Sequence, residues 1–298
     1  MWSHLDHVVL AVRDLAAAER RYARLLGRSA SWRGEHPGLG TENALFRTGE
    51  AYLELLAPAA DGGDWLRRRL DAQGEGLLGF ALATGDADAC AKALAARGLH
   101  PAPPARAIGR DTESGAFREW RSVMLAPEET RGVLIFGIEH RSAAALLPEI
   151  PPAGAPEAAV HGIDHVVVQS ADAEATRALY GERLGLRLAL DESFPKWGAR
   201  LLFFRVGRIT VEVAARLDAA ADPAAPDRAW GISWRVGDAD AARARLLEAG
   251  FDVSEVRAGR RPGTRVLSVR GDPCGVATLM LEPPAPRAPA SAAKQRAQ

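Results

Sequence analysis

The sequence predicts an α+β protein in which four β-α-β-β-β modules pair into two domains. Three observations predict this fold: an internal repeat, four helices with identical start and stop signals, and short strand-like runs around each helix. His7 lies 47 positions before Glu54, and His165 lies 47 before Glu212. The two pairs share one offset, since 165 − 7 = 212 − 54 = 158. A match at one fixed period indicates that the first half is duplicated.

The repeat extends beyond these two pairs. The run LDHVVLAV, from Leu5, corresponds to IDHVVVQS, from Ile163. Tyr22 corresponds to Tyr180 at the same offset, and LFRTGEAYLEL, from Leu45, corresponds to FFRVGRITVEV. The matched runs include strand-like and helix-like segments, so a whole structural unit has been copied.

Each predicted helix begins at an aspartate and ends at a glycine. An aspartate before the first turn accepts hydrogen bonds from free N–H groups, and a terminal glycine adopts the left-handed conformation that closes a helix. Ala, Leu and Arg, which favour helix, dominate the residues between these signals. The four segments are 14–27, 86–98, 172–185 and 238–250.

Short runs that are β-branched or alternate in polarity predict the strands. In the first module these runs are HVVLAV, a segment near 29–33, NALFRT and AYLELL. The second module has GFALAT, WRSVML and GVLIFGI, and the fourth has GISWRV, FDVSEV, TRVLSV and VATLML. Each helix therefore has one strand before it and about three after it.

The repeat divides the chain into an N-terminal domain, 1–140, and a C-terminal domain, 160–284. The segment 141–159 is rich in Ala and Pro, which is typical of a semi-rigid linker. The end, 285–298, is poor in apolar residues and is predicted to be disordered. At 298 residues and 47% hydrophobic content, each half is expected to bury its own core.

Composition narrows the range of partners. With 38 basic and 38 acidic residues the chain has no net field to attract nucleic acid or an anionic membrane. Its two cysteines, Cys90 and Cys274, form no Cys-x-x-Cys motif. The N-terminus lacks signal-peptide features, and no apolar run approaches the roughly 18 residues of a membrane span. A cytoplasmic monomer or homodimer with a small-molecule ligand is expected.

A strand that opens with His, an Asp-capped helix and a closing strand written apolar-Glu-apolar together resemble the vicinal oxygen chelate (VOC) superfamily. That superfamily includes glyoxalase I, extradiol dioxygenases, methylmalonyl-CoA epimerase and bleomycin-resistance proteins. The resemblance covers about 4–140 and 160–284. GLGTENALFRTGEAYLELLAP resembles the glyoxalase-like branch, and GDPCGVATLMLEPP resembles the usual last turn and strand. The resemblance implies two half-open barrels, or cups, each formed by two modules.

In the superfamily, the first and last strands of each module supply the ligands of a divalent metal inside the cup. The resemblance therefore assigns metal-ligand positions to His7, Glu54, His165 and Glu212. The matching positions in the even-numbered modules are Gly79, Phe136, Gly231 and Leu279. Each half keeps two of four ligands, whereas a catalytic metal normally has about three protein ligands. This set implies a weakly held Fe, Mn, Ni, Co or Zn ion, or none, and argues against ring-cleaving dioxygenase activity.

Further candidates come from the residues near these positions. Glu54 and Glu212 are candidate catalytic carboxylates, because a carboxylate beside a substrate can move a proton. Asn43 is a candidate ligand-binding residue at a strand start. Aromatic walls with a few charged groups are typical of small-molecule pockets, and four residues of the second half fit that description: Trp197, Arg200, Trp234 and Arg235. Each also has a plainer interpretation as a core or surface residue.

Four further acidic or histidine positions are set aside. His36 is interpreted as an exposed loop residue. Strand alternation is expected to turn Glu139 and Glu282 away from the cups, and His140 is left out with them.

Two functions remain open. The first is a glyoxalase-like lyase or isomerase that acts on a small oxygenated molecule, with a divalent ion at one or both His/Glu pairs. The alternative is a metal-free binding protein of the bleomycin-resistance type, which encloses its ligand unchanged. The retained pairs favour the enzyme, and the four missing ligands favour the binding protein. The Trp and Arg candidates of the second half favour the second cup over the first as the place where the ligand binds.

Overall fold

Four β-α-β-β-β modules follow one another along the chain, as the repeat predicts. The computed structural model describes residues 1–218, 222, 224–271 and 273–285. The first half contains β1 (Leu5–Ala11), α1 (Leu15–Leu26), β2 (Trp32–His36), β3 (Thr41–Thr48), β4 (Ala51–Pro58), α2 (Asp64–Gln73), β5 (Gly76–Ala83), α3 (Ala87–Ala95), β6 (Ala105–Asp111), β7 (Phe117–Met124) and β8 (Leu134–His140). The second half contains β9 (Val160–Ser170), α4 (Ala173–Arg177), β10 (Arg187–Phe194), β11 (Ala199–Val206), β12 (Ile209–Arg216), β13 (Arg228–Val236), α5 (Ala239–Glu248), β14 (Arg257–Ala258), β15 (Arg265–Val269) and β16 (Ala277–Glu282).

The predicted helix signals are confirmed. Asp14 accepts a 2.9 Å hydrogen bond from the Ala17 amide at the start of α1, and Gly27 closes that helix in the left-handed conformation. The aspartates before α3, α4 and α5 cap their helices in the same way. Helix α4 is short because the chain continues as a π-helical turn, Ala178–Arg183.

The sequence analysis does not predict α2. This helix begins after Gly63, which offers no side-chain cap, so it lacks the aspartate signal of the other four. Its Leu66 and Leu70 enter one end of the first barrel. There they form a small apolar cluster with the interior side chains Val9, Ala11, Leu56 and Leu78.

The first half is a closed barrel with the strand order β1-β4-β3-β2-β6-β7-β8-β5. The resemblance implied a half-open cup, but pairing of β2 with β6 closes the barrel. These strands pair through Gly34 with Asp111 and Glu35 with Arg110. A Cβ atom on Gly34 would lie 2.7 Å from the Arg110 carbonyl oxygen, so glycine permits the close approach that shuts the barrel.

The second half is an open sheet with the order β10-β11-β12-β9-β13-β16-β15-β14. Its edges, β10 and β14, leave one side of the cup unpaired. Most of the predicted strand FDVSEV is irregular, and only Val253 forms a bridge, to Val269. This half therefore keeps the cup shape that the resemblance implies.

A β-bulge precedes the ligand position in each of the four modules. The inserted residues are Asp6 before His7, Leu78 before Gly79, Asp164 before His165 and Trp230 before Gly231. A bulge places two residues opposite one on the partner strand and redirects the side chains. The aspartate and histidine of β1 and of β9 can therefore contact each other, although neighbours in a regular strand point to opposite faces.

One continuous apolar core joins the two halves, in contrast to the expectation of separate cores. Phe80 of the first half lies 6.4 Å, between ring centroids, from Tyr180 of the second. The Tyr22 hydroxyl donates to the Pro273 carbonyl oxygen across the same boundary, at 3.1 Å. The halves thus stabilise each other.

The linker packs over the end of the first barrel opposite α2. Leu147 is 2% exposed and joins an apolar cluster with Trp32, Leu45 and Tyr52. Glu149 forms a 2.8 Å ion pair with Arg28, which is buried. The predicted tail, 285–298, lies outside the described residues apart from Ala285. Within the described part of the chain, no helix has the length and apolar character needed to cross a membrane.

Candidate functional site

The interior of the first barrel holds a row of polar side chains centred on Glu54. Asn43 Nδ2 donates a 2.7 Å hydrogen bond to Glu54 Oε1. His7 Nε2 lies 3.5 Å from Glu54 Oε2 on the other side. His7 is 3% exposed and Glu54 8% exposed, so both act in an environment of low dielectric constant, where electrostatic interactions are strong. The structure thus brings together three of the residues singled out from the sequence.

The row continues through His36, which the sequence analysis interpreted as an exposed loop residue. His36 is the last residue of β2 and is buried, so that interpretation is wrong. Its Nε2 atom lies 3.2 Å from Asn43 Nδ2, and its Nδ1 atom lies 3.1 Å from Thr41 Oγ1. Burial, the largest effect, lowers the pKa of His36 and favours its neutral form. Alternation with the buried Trp32 was the signal that could have placed it inside.

Asp6 orients the His7 ring by a contact at its Nδ1 atom. Its carboxylate lies 2.6 Å from His7 Nδ1 and 2.9 Å from His140 Nε2. Burial acts to raise the pKa of Asp6, but hydrogen bonds from His140 and His7 hold that pKa well below its usual value. An ionised Asp6 keeps the proton of His7 on Nδ1, so Nε2 faces Glu54. The sequence analysis overlooked Asp6 and set His140 aside, although the structure places both beside His7.

The 3.5 Å gap between His7 Nε2 and Glu54 Oε2 is longer than a normal hydrogen bond. Both atoms therefore retain bonding capacity on the side where they face each other. Asn43 Oδ1 is buried and has no hydrogen-bond partner among the described residues. A ligand hydroxyl beside Asn43 would satisfy this acceptor.

Apolar groups occupy the positions where the superfamily places the other two ligands. Phe136 contacts the His7 ring edge to face, with 5.5 Å between ring centroids. A Cβ atom on Gly79 would lie 1.9 Å from the Leu134 carbonyl oxygen, so only glycine fits there. Tyr52 stacks on His7 from another side, at 4.5 Å. The first barrel thus offers a metal two protein ligands.

A cavity of about 200 Å³ lies between the polar row and the linker. Asp6, Tyr52, Arg118 and His140 line its barrel side. The linker covers it through a segment that includes Ser142 and Leu147. Because Tyr52 also stacks on His7, the cavity adjoins the candidate proton-transfer residues.

The second cup repeats part of this arrangement in a more open setting. His165 Nε2 lies 3.7 Å from Glu212 Oε2, and both side chains are 17% exposed. Asp164 lies 2.9 Å from His165 Nδ1 and accepts a 2.9 Å hydrogen bond from Arg235 Nε. Burial acts to raise the pKa of Asp164, yet these partners lower it to about 2. Arg235 is thus beside the His/Glu pair.

The other candidates of the second half lie elsewhere. Trp234 is fully buried in the core shared by the two halves. Arg200 forms ion pairs with Asp191 at 2.8 Å and with Glu174 of α4 at 2.6 Å, so it lies on the helix side of the sheet. Trp197 is 53% exposed and stacks on Phe194. Trp234 and Arg200 therefore lie away from the cup interior that holds His165 and Glu212.

Arg260, which the sequence analysis overlooked, lies across the second cup. It belongs to the loop between β14 and β15, and its guanidinium carbon lies 4.2 Å from the centroid of the Phe203 ring on β11. The same carbon lies 5.5 Å from the ring centroid of Phe194 on the edge strand β10, so these cation–π contacts link the two edges that strand pairing leaves open.

Glu139 and Glu282 lie on the helix side of their sheets, where alternation predicts them. Glu139 accepts a hydrogen bond from the Ala87 amide at the start of α3, at 3.3 Å. Glu282 accepts one from the Ala239 amide at the start of α5, at 2.8 Å. Carboxylates stabilise helix N-termini, so these glutamates have a structural role.

The donor atoms fit a divalent ion only loosely. Within the described ranges, no group of three or more His, Cys, Asp or Glu side chains is placed to hold a metal. Each His/Glu pair supplies one nitrogen and one oxygen, 3.5 Å apart in the first half and 3.7 Å apart in the second. Two such donors can take adjacent positions around an ion whose other ligands are water or substrate oxygens.

Comparison with known families agrees with this geometry. A profile described as a glyoxalase-like domain matches residues 5–161, more than half of the chain. The chain is a glyoxalase-like member of the VOC superfamily. A second VOC profile, described as the glyoxalase/bleomycin resistance protein/dioxygenase superfamily, matches residues 164–267. The predicted superfamily and its two-domain arrangement are thereby confirmed.

Two solved structures share this fold along most of the chain. A hypothetical protein from Staphylococcus aureus aligns over 93% of this chain and 98% of its own, with a TM-score of 0.62 and 12% identity. A mutant of 4-hydroxymandelate synthase from Streptomyces coelicolor aligns over 97% and 94%, with a TM-score of 0.66 and 14% identity. Methylmalonyl-CoA epimerase from Mycobacterium tuberculosis covers 43% of this chain and 90% of its own, at 26% identity and a TM-score of 0.36. No curated protein sequence matches significantly.

Proposed function

We propose that the first barrel is the active site of a glyoxalase-like lyase or isomerase, which moves a proton on a small oxygenated molecule. The observation that carries this proposal is the buried row in which Asp6 orients His7 toward Glu54 and Asn43 holds Glu54 from the other side. Burying a carboxylate is costly, so a fold that retains Glu54 at 8% exposure among oriented polar groups favours a chemical role.

The residues divide the work as follows. Glu54, positioned by Asn43, removes a proton from a carbon beside a substrate oxygen. His7 Nε2 faces the same space without a proton of its own, so it accepts a hydrogen bond from a substrate hydroxyl, and Glu54 returns the proton it has taken to the resulting enediolate. Asn43 Oδ1 accepts a hydrogen bond from a substrate hydroxyl. The closed barrel excludes water, which strengthens each of these interactions.

Exchange of carbon-bound hydrogen with solvent tests this proposal without knowledge of the natural substrate. The probe is hydroxyacetone in D2O, followed by NMR. The wild-type protein should accelerate exchange above the buffer rate. Glu54→Gln keeps the shape and the hydrogen bond from Asn43 but cannot take a proton, so exchange should fall by about 100-fold or more.

Glu212→Gln is the matched control, because it makes the same change at the equivalent position of the second half. It should exchange hydroxyacetone at the wild-type rate. Equal loss in both variants, or exchange that survives in Glu54→Gln, would remove the first barrel as the catalytic site.

A metal-free binding protein is the alternative, and the packing at Phe136 and Gly79 favours it. It predicts saturable binding of small oxygenated molecules with no exchange above the buffer rate. Binding that is weakened equally by His7→Ala and by Glu54→Gln, without any turnover, would support this alternative.

We also propose that any divalent ion binds at His165 and Glu212, beside Arg235. This pair is more exposed than His7 and Glu54, so an ion and its waters fit beside it. With two protein ligands, the ion should be substoichiometric and lost on dialysis against chelator. Elemental analysis of wild type and of the double variant His165→Ala, Glu212→Gln tests this. Stoichiometric metal that survives chelator would contradict it.

A further inference from the structure

Two guanidinium groups face the cavity beneath the linker. Arg118 and Arg47 both line this cavity. Arg118 is 9% exposed, and Arg47 is half-buried. Among the residues that the structure describes, neither has a carboxylate within the 4.0 Å of an ion pair. A buried charge without a counter-ion is unfavourable, so the site is electrostatically incomplete.

Aromatic rings hold the Arg118 guanidinium in place. Its central carbon lies 5.5 Å from the centroid of the Trp32 ring and 5.7 Å from that of Tyr52. Such contacts stabilise a cation and restrict the orientation of its plane. A guanidinium that is positioned by rings still presents N–H donors in its plane, which match a carboxylate or phosphate.

The acidic groups at the cavity already have partners. Asp6 is hydrogen-bonded to His7 and His140. Glu50 Oε1 lies 3.6 Å from Arg208 Nη1, in an exposed ion pair. The acidic groups at this cavity therefore already have partners, whereas Arg118 and Arg47 have no acidic partner among the described residues.

We propose that this cavity binds the carboxylate or similar oxyanion of a small molecule, with Arg118 as the principal contact and Arg47 as the second. The volume of about 200 Å³ is below the roughly 300–1,000 Å³ of common ligand pockets, so the molecule has few heavy atoms. The cavity adjoins Tyr52, which stacks on His7, so the far end of such an anion lies toward the polar row. The statement that this anion is the substrate rests on the proposed function, whereas the statement that the cavity binds the anion does not.

Lactate and lactamide form a matched pair of probes, since they have nearly the same shape and differ in charge. Isothermal titration calorimetry of the full-length protein at constant ionic strength should show lactate binding at least tenfold more tightly than lactamide. Arg118→Gln should weaken lactate binding at least tenfold, and Arg118→Lys should weaken it less. Arg106→Gln is the control: Arg106 lies on the neighbouring strand, is exposed and pairs with Glu119, so lactate binding should not change.

The wild-type comparison keeps the test valid even if Arg118→Gln fails to fold. Equal affinity for lactate and lactamide, absence of lactate binding, or full binding by a folded Arg118→Gln variant overturns the proposal. Lactate binding that persists in Glu54→Gln supports the anion site independently. Loss of exchange activity in that variant is a separate result, so the two proposals fail separately.

Discussion

His7 Nδ1 lies 2.6 Å from an oxygen of Asp6, the residue immediately before it in the chain. The β-bulge at Asp6 makes this contact possible, and the second half repeats it between Asp164 and His165 at 2.9 Å. In both halves, therefore, the histidine that faces the glutamate is oriented by its own neighbour. The duplicated unit includes a positioned histidine, rather than a histidine alone.

The two aspartates should differ in their contribution to stability. Asp6→Asn should lower the free energy of unfolding by about 1–3 kcal/mol, because Asp6 is buried and accepts from two histidines. Asp164→Asn is the matched change, and its cost should stay below about 1 kcal/mol because Asp164 is 27% exposed. Urea denaturation measures both. Equal losses would show that burial does not control the strength of this contact.

Tyr22 and Tyr180 occupy equivalent repeat positions but differ in hydrogen bonding. The Tyr22 hydroxyl donates to Pro273, whereas the Tyr180 hydroxyl is buried without a partner among the described residues. Tyr22→Phe should destabilise the protein by about 0.5–1.5 kcal/mol. Tyr180→Phe removes an unsatisfied polar group and should be neutral or stabilising. Thermal unfolding that ranks the variants in the opposite order would contradict this assignment.

The protein should lose stability at alkaline pH through its tyrosines. Burial, the largest effect, raises the pKa of Tyr22, Tyr52 and Tyr180 well above 10.0. The unfolded chain releases these protons near the usual pKa, while the folded chain keeps them. Stability is therefore unaffected below pH 10.0 and decreases as pH rises above it. Phenolate absorbance should appear only together with unfolding; its appearance in the folded protein would refute the prediction.

Leu147 should control access to the first barrel. Leu147→Ala removes the linker side chain that packs on Trp32 and Tyr52, and it should cost about 2 kcal/mol or more. Amide hydrogen exchange in β2 and β3 should become faster. Leu146→Ala is the control, since Leu146 is 38% exposed and should change both quantities little. Unchanged exchange in Leu147→Ala would show that the linker does not close the barrel.

Local signals in the sequence predicted the repeat, the four capped helices and the strands that surround them. They predicted these features because caps, turns and alternation involve residues that are close in the chain or repeat at a fixed period. Helix α2 was missed because Gly63 gives no cap signal. Closure of the first barrel was missed because it depends on the approach of Gly34 to Arg110, which are 76 positions apart (110 − 34).

The candidate site was predicted less completely for a similar reason. His36 and His140 reach the polar row through strand ends whose positions depend on the whole barrel. Trp234 and Arg235 were both assigned to the second cup, yet neighbours in a strand face opposite sides, and Trp234 belongs to the core. Arg260 reaches Phe203 from a distant loop, a contact that no local pattern indicates.

The pairing of β2 with β6 has a mechanical consequence. Two residue pairs close the first barrel, whereas β3 and β4 are joined by eight. The barrel should therefore open first between β2 and β6, because local opening begins where the fewest backbone hydrogen bonds must break. Parting there would unroll the first half into an open sheet like that of the second, and would admit solvent to His36 and Asn43 before any other strand separates.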